Sequence, residues 1–394
     1  MHCYKYQDHM HIGYDGKRAF QNKTGLGNYI RSLMATLSTY YPGNRYTLFA
    51  PKKTTLFDPG FYPGVEAVSP KSKFYNKFPS LWRRWGMIQA IEKSGIDIYH
   101  GVSNELPLGI GKLNIKTVVT VHDIIFERFP ETYHFDERYV HRWKIKHACK
   151  VADTVIAISN QTKKDLVEFY KVPAEKIAIC YQNCNPIFHR IADEEEKFII
   201  KKRYNLPDQY FLFVSSIAPR KNLIAVCKAL AAIKDQINIS LVVIGGGKKQ
   251  KEEAKAFMAA NGISHLLILL NELPQSKEAS YTTAADFPAI YQQALALIYP
   301  SIFEGFGAPL LEALWSYIPV ISSNTSSLPE VAGDAALYFA PDDIDTLANH
   351  MYRVATDKAL VIDLKERGLK RAQLFTGEKH SQSIMEVYQE LLKK

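Results

Sequence analysis

The chain has 394 residues, too many for one compact core and about right for two α/β domains. Hydrophobic residues make up 47% of it, which excludes a disordered chain, and no apolar run approaches the length of a bilayer span. The formal net charge of +9 fits polyphosphate ligands or anionic lipid, but no helix-turn-helix, zinc-finger or RNA-binding aromatic signature accompanies it, so nucleic acid is not an expected partner.

No secretory leader with a cleavage site is evident, so a soluble, cytoplasmic protein is expected. The five cysteines, Cys3, Cys149, Cys180, Cys184 and Cys227, are an odd and scattered set, which argues against a disulfide framework. Cys180 and Cys184 lack a second close pair, so buried thiols are expected rather than a zinc site.

Residues 1–9 are polar and unpatterned and read as a frayed tail, or as residues ahead of a truer start at Met10. Met10 to Tyr14 forms the first strand. Lys23-Thr24-Gly25-Leu26-Gly27-Asn28-Tyr29 then opens a helix whose Ile30, Leu33, Met34 and Leu37 share one face. Glycines between a first strand and a helix, here Gly25 and Gly27, allow close approach of a phosphate or sugar, although a tight turn has the same signature. Further strands are expected at Tyr46 to Ala50 and at Ile96 to Tyr99.

Between those two strands Lys71 to Lys93 is basic and aromatic, with Phe74, Tyr75, Phe78, Trp82, Arg83, Arg84 and Trp85. It reads as a helix packing its aromatics inward, or as a surface that lies on an anionic membrane. Thr117 to Val121 is a β-branched run followed by His122-Asp123, and a histidine at the carboxyl end of a parallel strand lies where such sheets hold ligands. Thr154 to Ser159 is the next strand.

The charged stretch Asp193 to Lys197 marks a boundary near 190. Tyr210 to Val214 starts a fresh sheet and runs into Pro219-Arg220-Lys221-Asn222 ahead of a helix, where two adjacent cations can clamp a pyrophosphate. Leu241 to Ile244 and Leu266 to Leu270 are further strands. Gly245-Gly246-Gly247 is neither a Walker loop nor a dinucleotide fingerprint. Ala294 to Tyr299 ends at Pro300, and a loop then carries Glu304, Gly305, Phe306 and Gly307 into a helix with Pro309 in its first turn and Glu312 one turn along. Two carboxylates suit the hydroxyls of a neutral polyol, and open amides at a helix start suit an anion. A sugar nucleotide carries both. Asp342, Asp343 and Asp345 follow Pro341 and read as a solvated turn rather than a metal site.

The Glu-x7-Glu stretch with Gly-Phe-Gly after its first acid resembles the donor motif of the retaining glycosyltransferases of family 4. The resemblance runs from about Met10 to the end and includes Thr24-Gly25-Leu26-Gly27, Val121-His122-Asp123 and Arg220-Lys221-Asn222. It implies a GT-B architecture of two Rossmann-like, doubly wound parallel-sheet domains facing across a cleft. Their expected extents are 1–190 on the acceptor side and 191–376 on the nucleotide-sugar side, with a helix at 377–394 returning to the first domain. It further implies that Glu304 and the amides of Gly305, Phe306 and Gly307 hold the donor sugar, and that Glu312 holds the ribose. Arg220 and Lys221 would bind the diphosphate, His122 would contact the sugar, and Gly25 and Gly27 would face the donor.

The implied reaction is transfer of a sugar to an acceptor hydroxyl with retention, without a metal or other cofactor. The expected donor is GDP-mannose, with a UDP-sugar as the alternative. The expected acceptor is a saccharide or lipid-linked saccharide in cell-surface polysaccharide assembly, with peripheral contact at the inner face of the membrane. An epimerase, or a sugar-nucleotide-binding subunit without turnover, is the alternative reading. Tyr317 stands where the family has glycine, and the polar stretch 271–283 leaves the base unreadable.

Overall fold

The computed structural model describes residues 9–23 and 25–393, so the expected tail, except His9, and Thr24 of the first loop lie outside the described residues. Two compact units emerge. One runs to Asn183 and takes back the chain from Gly377 onward, and the other is Cys184–Thr376. The division falls ahead of residue 190 because the turn Pro186–His189 is committed to the second unit. There Phe188 packs edge-on to Tyr291 at 5.1 Å, and His189 lies 4.0 Å from the Trp315 ring.

The first unit is built on β1 (His11–Asp15), β2 (Arg45–Phe49), β3 (Val65–Val68), β4 (Ile98–Gly101), β5 (Lys116–Val121), β6 (Thr154–Ala157) and β7 (Ile177–Ile179). All pairs are parallel, in the order β3-β2-β1-β4-β5-β6-β7. A parallel sheet is covered on both faces, and its strands read as apolar runs for that reason. Val118 faces one core, with Ile12, Ile30 and Leu33, while its neighbour Val119 faces the other, with Ile91 and Ile145.

The helix Gly377–Lys393 belongs to the first of these cores through Ile384, Met385 and Tyr388. Its tyrosine is also wired in by polar contacts: Tyr388 OH lies 3.0 Å from Tyr14 OH and 2.5 Å from His100 Nδ1, and His100 Nε2 reaches Thr120 Oγ1 at 2.7 Å. Buried polar groups are tolerated when partnered in this way.

The second unit holds β8 (Tyr210–Val214), β9 (Ser240–Ile244), β10 (Leu267–Leu269), β11 (Ala296–Tyr299), β12 (Val320–Ser323) and β13 (Ala336–Phe339). These too are all parallel, in the order β10-β9-β8-β11-β12-β13. In each sheet the strand order reverses once, between β1 and β4 and between β8 and β11. A crevice opens beyond the carboxyl ends of strands at such a reversal.

Several local expectations change. Strands β3, β7, β12 and β13 went unrecognised: each is three or four residues at or beside a sheet edge, too short for a periodic signal. The basic aromatic stretch divides. Trp82 is buried and Arg83 turns inward to Asp15 and Glu105, whereas Phe74 and Phe78 are exposed. The side chains of Arg84 and Trp85 lie outside the described residues. Asp343 caps the helix Ile344–Thr356 by accepting from the Thr346 amide at 3.0 Å. Cys149, Cys180, Cys184 and Cys227 are buried free thiols.

Candidate functional site

The second unit's reversal point brings together residues from two strand ends. After β8, Pro219–Lys221 makes a single 3-10 turn, and Asn222 closes it in the left-handed conformation at φ +56°. Asparagine tolerates that conformation better than bulkier residues. Its side-chain Nδ2 donates to the Pro341 carbonyl at 2.9 Å, which pins the turn. Arg220 and Lys221 are thereby held in front of the loop that follows β11. The Arg220 Nη1 donates to the Phe303 carbonyl at 2.9 Å and lies 3.3 Å from Glu304 Oε2.

Glu304 is buried and is the centre of this cluster. Its Oε1 is ion-paired to Lys221 Nζ and accepts from Ser301 Oγ and, at 3.1 Å, from Tyr299 OH. Its backbone is fixed as well, with the amide donating to Ser326 Oγ at 2.9 Å and the carbonyl accepting from Ser327 Oγ at 3.0 Å. Burial alone would raise the Glu304 pKa, but Lys221 and Arg220 outweigh it and the net shift is downward. Glu304 is therefore a carboxylate, and the cluster of Arg220, Lys221 and Glu304 keeps one positive charge in excess.

Gly307 turns the chain into the helix Ala308–Trp315 at φ +100°, and a Cβ there would stand 2.7 Å from Leu328 Cδ2. Only glycine satisfies both conditions. Phe306 buries its ring against Phe375 at 5.8 Å. The amides of Gly305, Gly307 and Ala308 donate to no protein acceptor among the described residues. Amides at a helix start with the dipole behind them form a ready anion or hydroxyl site.

Glu312, one turn along, is half-buried and accepts from Tyr291 OH at 2.8 Å. Burial pushes its pKa up to about 7 against the lowering effect of that hydrogen bond. The two glutamates of the motif thus differ in state: one is ionised by neighbouring cations and the other is poised near neutrality.

In the first unit, His122 follows β5 and is buried. Its Nε2–H donates to the Val102 carbonyl at 2.9 Å, and its ring meets Tyr29 edge-on at 4.6 Å. Burial lowers its pKa to about 4, so the imidazole is neutral near pH 7. Tyr29 also lies 5.5 Å from His380 of the returning helix. Gly25 begins the helix Gly25–Tyr40, and a Cβ there would meet nothing within 4 Å. At Gly27, by contrast, a Cβ would stand 1.9 Å from the Asn22 carbonyl oxygen, so the demand for glycine there is internal to the turn.

Tyr291, Tyr299, Ser301, Ser326 and His380 went unnoticed in the sequence. Tyr299 and Ser301 flank Pro300 and could have been flagged by proximity to Glu304. Tyr291 closes the stretch Phe287-Pro288-Ala289-Ile290-Tyr291, a helix cue that could have drawn attention to it, whereas His380 carries no local signal.

Residues 194–371 match the family model described as Glycosyl transferases group 1, and residues 23–182 match the one described as Glycosyltransferase Family 4. The O-antigen chain mannosyltransferase B of Escherichia coli is 27% identical over 294 residues, covering 74% of each chain. Serotype-specific mannosyltransferase WbdA of Escherichia coli is 26% identical over 304 residues, which is 75% of this chain but 36% of WbdA. This chain therefore spans about a third of that protein's length. The structure of Anabaena HepE in complex with UDP superposes with a TM-score of 0.70 at 15% identity, covering 97% of this chain and 100% of that one, a likeness of fold alone.

Proposed function

The chain belongs to glycosyltransferase family 4, a retaining, metal-independent family of GT-B fold that uses nucleotide-sugar donors, and on that premise we propose that it transfers mannose from GDP-mannose to a saccharide acceptor in cell-surface polysaccharide assembly. The observation that carries the reading is the cluster of Arg220, Lys221 and Glu304 at the second unit's reversal point. Two cations beside open amides suit a diphosphate, and a carboxylate fixed by four side chains suits sugar hydroxyls. The mannosyl assignment is supported by the names of the relatives, both mannosyltransferases.

In the proposed reaction the bond from the anomeric carbon to the diphosphate oxygen breaks while a bond to the acceptor oxygen forms on the same face. The acceptor proton passes to the departing phosphate oxygen. Arg220, Lys221 and the helix start stabilise the charge that develops on that phosphate, and Glu304 orients the sugar. Glu312 holds the ribose. These residues position and stabilise, and none forms a glycosyl-enzyme.

The test is a thermal-shift comparison of GDP, UDP, ADP and phosphate, followed by transfer assays with the matching sugar nucleotide. A nucleotide at a hundredfold excess over its Kd adds about 2.7 kcal/mol to the folded state. Stabilisation by GDP and transfer from GDP-mannose are expected. Stabilisation by UDP alone would redirect the donor to a UDP-sugar, and no stabilisation by any nucleotide would overturn the reading.

A further inference from the structure

The helix Phe135–Val151 of the first unit is only half built into its own core. Ile145, Ala148 and Cys149 are buried there, whereas no residue from 135 to 144 is buried. The apolar side chains of that half stand in solvent: Phe135 is 84% exposed, Tyr139 64%, Val140 47% and Trp143 45%. Single exposed apolar residues are ordinary, but a cluster of them on one helix marks an interaction surface.

Their spacing is regular. At about 100° per residue, Asp136, Tyr139, Trp143, Lys146 and Lys150 fall on one line down the side away from Ile145 and Ala148. Steps of three and four residues are those of a coiled-coil seam, where such a line meets a second helix. Val140 flanks the line. Trp143 is held flat on His147, with ring centroids 5.7 Å apart and an interplanar angle of 7°. An indole fixed in this way loses little conformational freedom on binding.

The charges on the line identify its occupant. Arg138 and Arg142, on the core side, are tied to Glu127, and Lys144 is tied to Glu105. Asp136, Lys146 and Lys150 form no ion pair among the described residues. An acid therefore stands at one end and cations at the other. An anionic bilayer, or an acidic partner, would meet that acid unfavourably. A second copy running antiparallel matches it. In a twofold arrangement, residues equally spaced on either side of Trp143 face each other. Asp136 then meets the partner's Lys150, Val140 meets the apolar stem of the partner's Lys146, and the two Trp143 indoles meet at the centre. Parallel pairing would set acid on acid, cation on cation and the helix dipoles side by side.

We propose that the chain forms a homodimer through antiparallel pairing of the helix Phe135–Val151 about Trp143. From Asp136 to Lys150 the line is about 21 Å long. One helix face of that length buries less than the roughly 800 Å² per partner of a standard interface. The dimer is therefore weak and dissociates on dilution, and its terminal ion pairs set register and direction more than strength. The assignment stands independently of the transferase reading.

The test is sedimentation equilibrium of the full chain in low salt. It covers about a hundredfold range of concentration and reaches roughly 100 μM, which spans weak protein pairs. A reversible monomer–dimer equilibrium is expected. Asp136→Lys and Lys150→Asp should each weaken the dimer about tenfold or more, because like charges then face each other twice. Combining the two substitutions in one chain should restore it, since both pairs return with their signs exchanged. Trp143→Glu should abolish it. All of these variants alter exposed side chains, and their melting curves check the fold. A wild type that stays monomeric overturns the proposal, as does a dimer that Asp136→Lys and Trp143→Glu leave unchanged. Failure of the combined variant to recover the dimer overturns the antiparallel pairing. Monomers that bind anionic vesicles, and lose that binding in Trp143→Glu, would give this face to a bilayer and overturn it as well.

Discussion

The ammonium of Lys221 and the carboxylate of Glu304, 83 residues apart in the chain, form a buried ion pair. Removing one member of such a pair leaves an uncompensated charge, at a cost of about 3–5 kcal/mol. Lys221→Met is expected to lower the melting temperature strongly, and adding Glu304→Gln to recover most of the loss. A double variant no more stable than Lys221→Met would mean that Arg220 alone suffices for Glu304.

The same pair separates binding from transfer. Glu304→Ala frees both cations for a diphosphate, so the nucleotide-induced thermal shift should persist while transfer falls about 100-fold through loss of sugar positioning. Arg220→Ala should weaken both. Loss of nucleotide binding in Glu304→Ala would assign Glu304 to the architecture of the loop instead.

Glu312 and the first unit's histidines set opposite pH limbs. Glu312 has its folded pKa raised from 4.5 to about 7, so the folded state binds the extra proton and stability falls as pH rises through that window. The full effect is about 3 kcal/mol. Melting curves of Glu312→Gln should show a flatter decline between pH 5 and 7 than wild type. His122 is shifted the other way, from 6.5 to about 4, so its contribution is present above pH 6.5 and is lost as pH falls toward 4. His100 and His380, both lowered to about 3 by burial, add to that acid limb. Identical pH profiles for wild type and Glu312→Gln would show that Glu312 is ionised in the fold.

Tyr317 adopts φ +58° with its ring exposed and Lys365 Nζ 5.6 Å from the ring centroid. A left-handed tyrosine costs roughly 1–2 kcal/mol, and the exposed cation contact returns about 0.5–1. Tyr317→Gly should therefore raise stability by up to about 1 kcal/mol, read as a higher melting temperature. A lower one would mean that the stacked lysine, or the added freedom of the unfolded chain, outweighs the strain.

Phe74 and Phe78 are exposed beside Lys71, Lys73 and Lys77. If this patch meets an anionic bilayer, the full chain should co-sediment with phosphatidylserine vesicles in low salt, and Phe74→Ser with Phe78→Ser should abolish it. Sedimentation unchanged by that pair of substitutions would place the contact elsewhere or leave charge alone as its cause.

The chain's own pattern determined the class of fold and the positions of most strand ends. Apolar runs four to six residues long followed by glycine, proline or a polar residue mark buried parallel strands, and ligands gather at their carboxyl ends. For that reason Arg220, Lys221, His122 and Glu304 can be picked out from the sequence, since each lies in the turn or loop that follows such an end, and Glu312 follows one turn into the next helix.

Only the tertiary structure decided which strand ends are neighbours. The order β9-β8-β11-β12 places β11 beside β8 and so joins Glu304 to Lys221. The order β2-β1-β4-β5 places Glu105 beside Asp15 and draws Arg83 inward from a stretch that reads as surface. It likewise decided that Tyr29 lies between His122 and His380. Local propensity depends on residues a few positions apart, whereas a charge's partner and solvation depend on sheet order. Buried side chains from distant segments settle that order cooperatively, and no single segment encodes it.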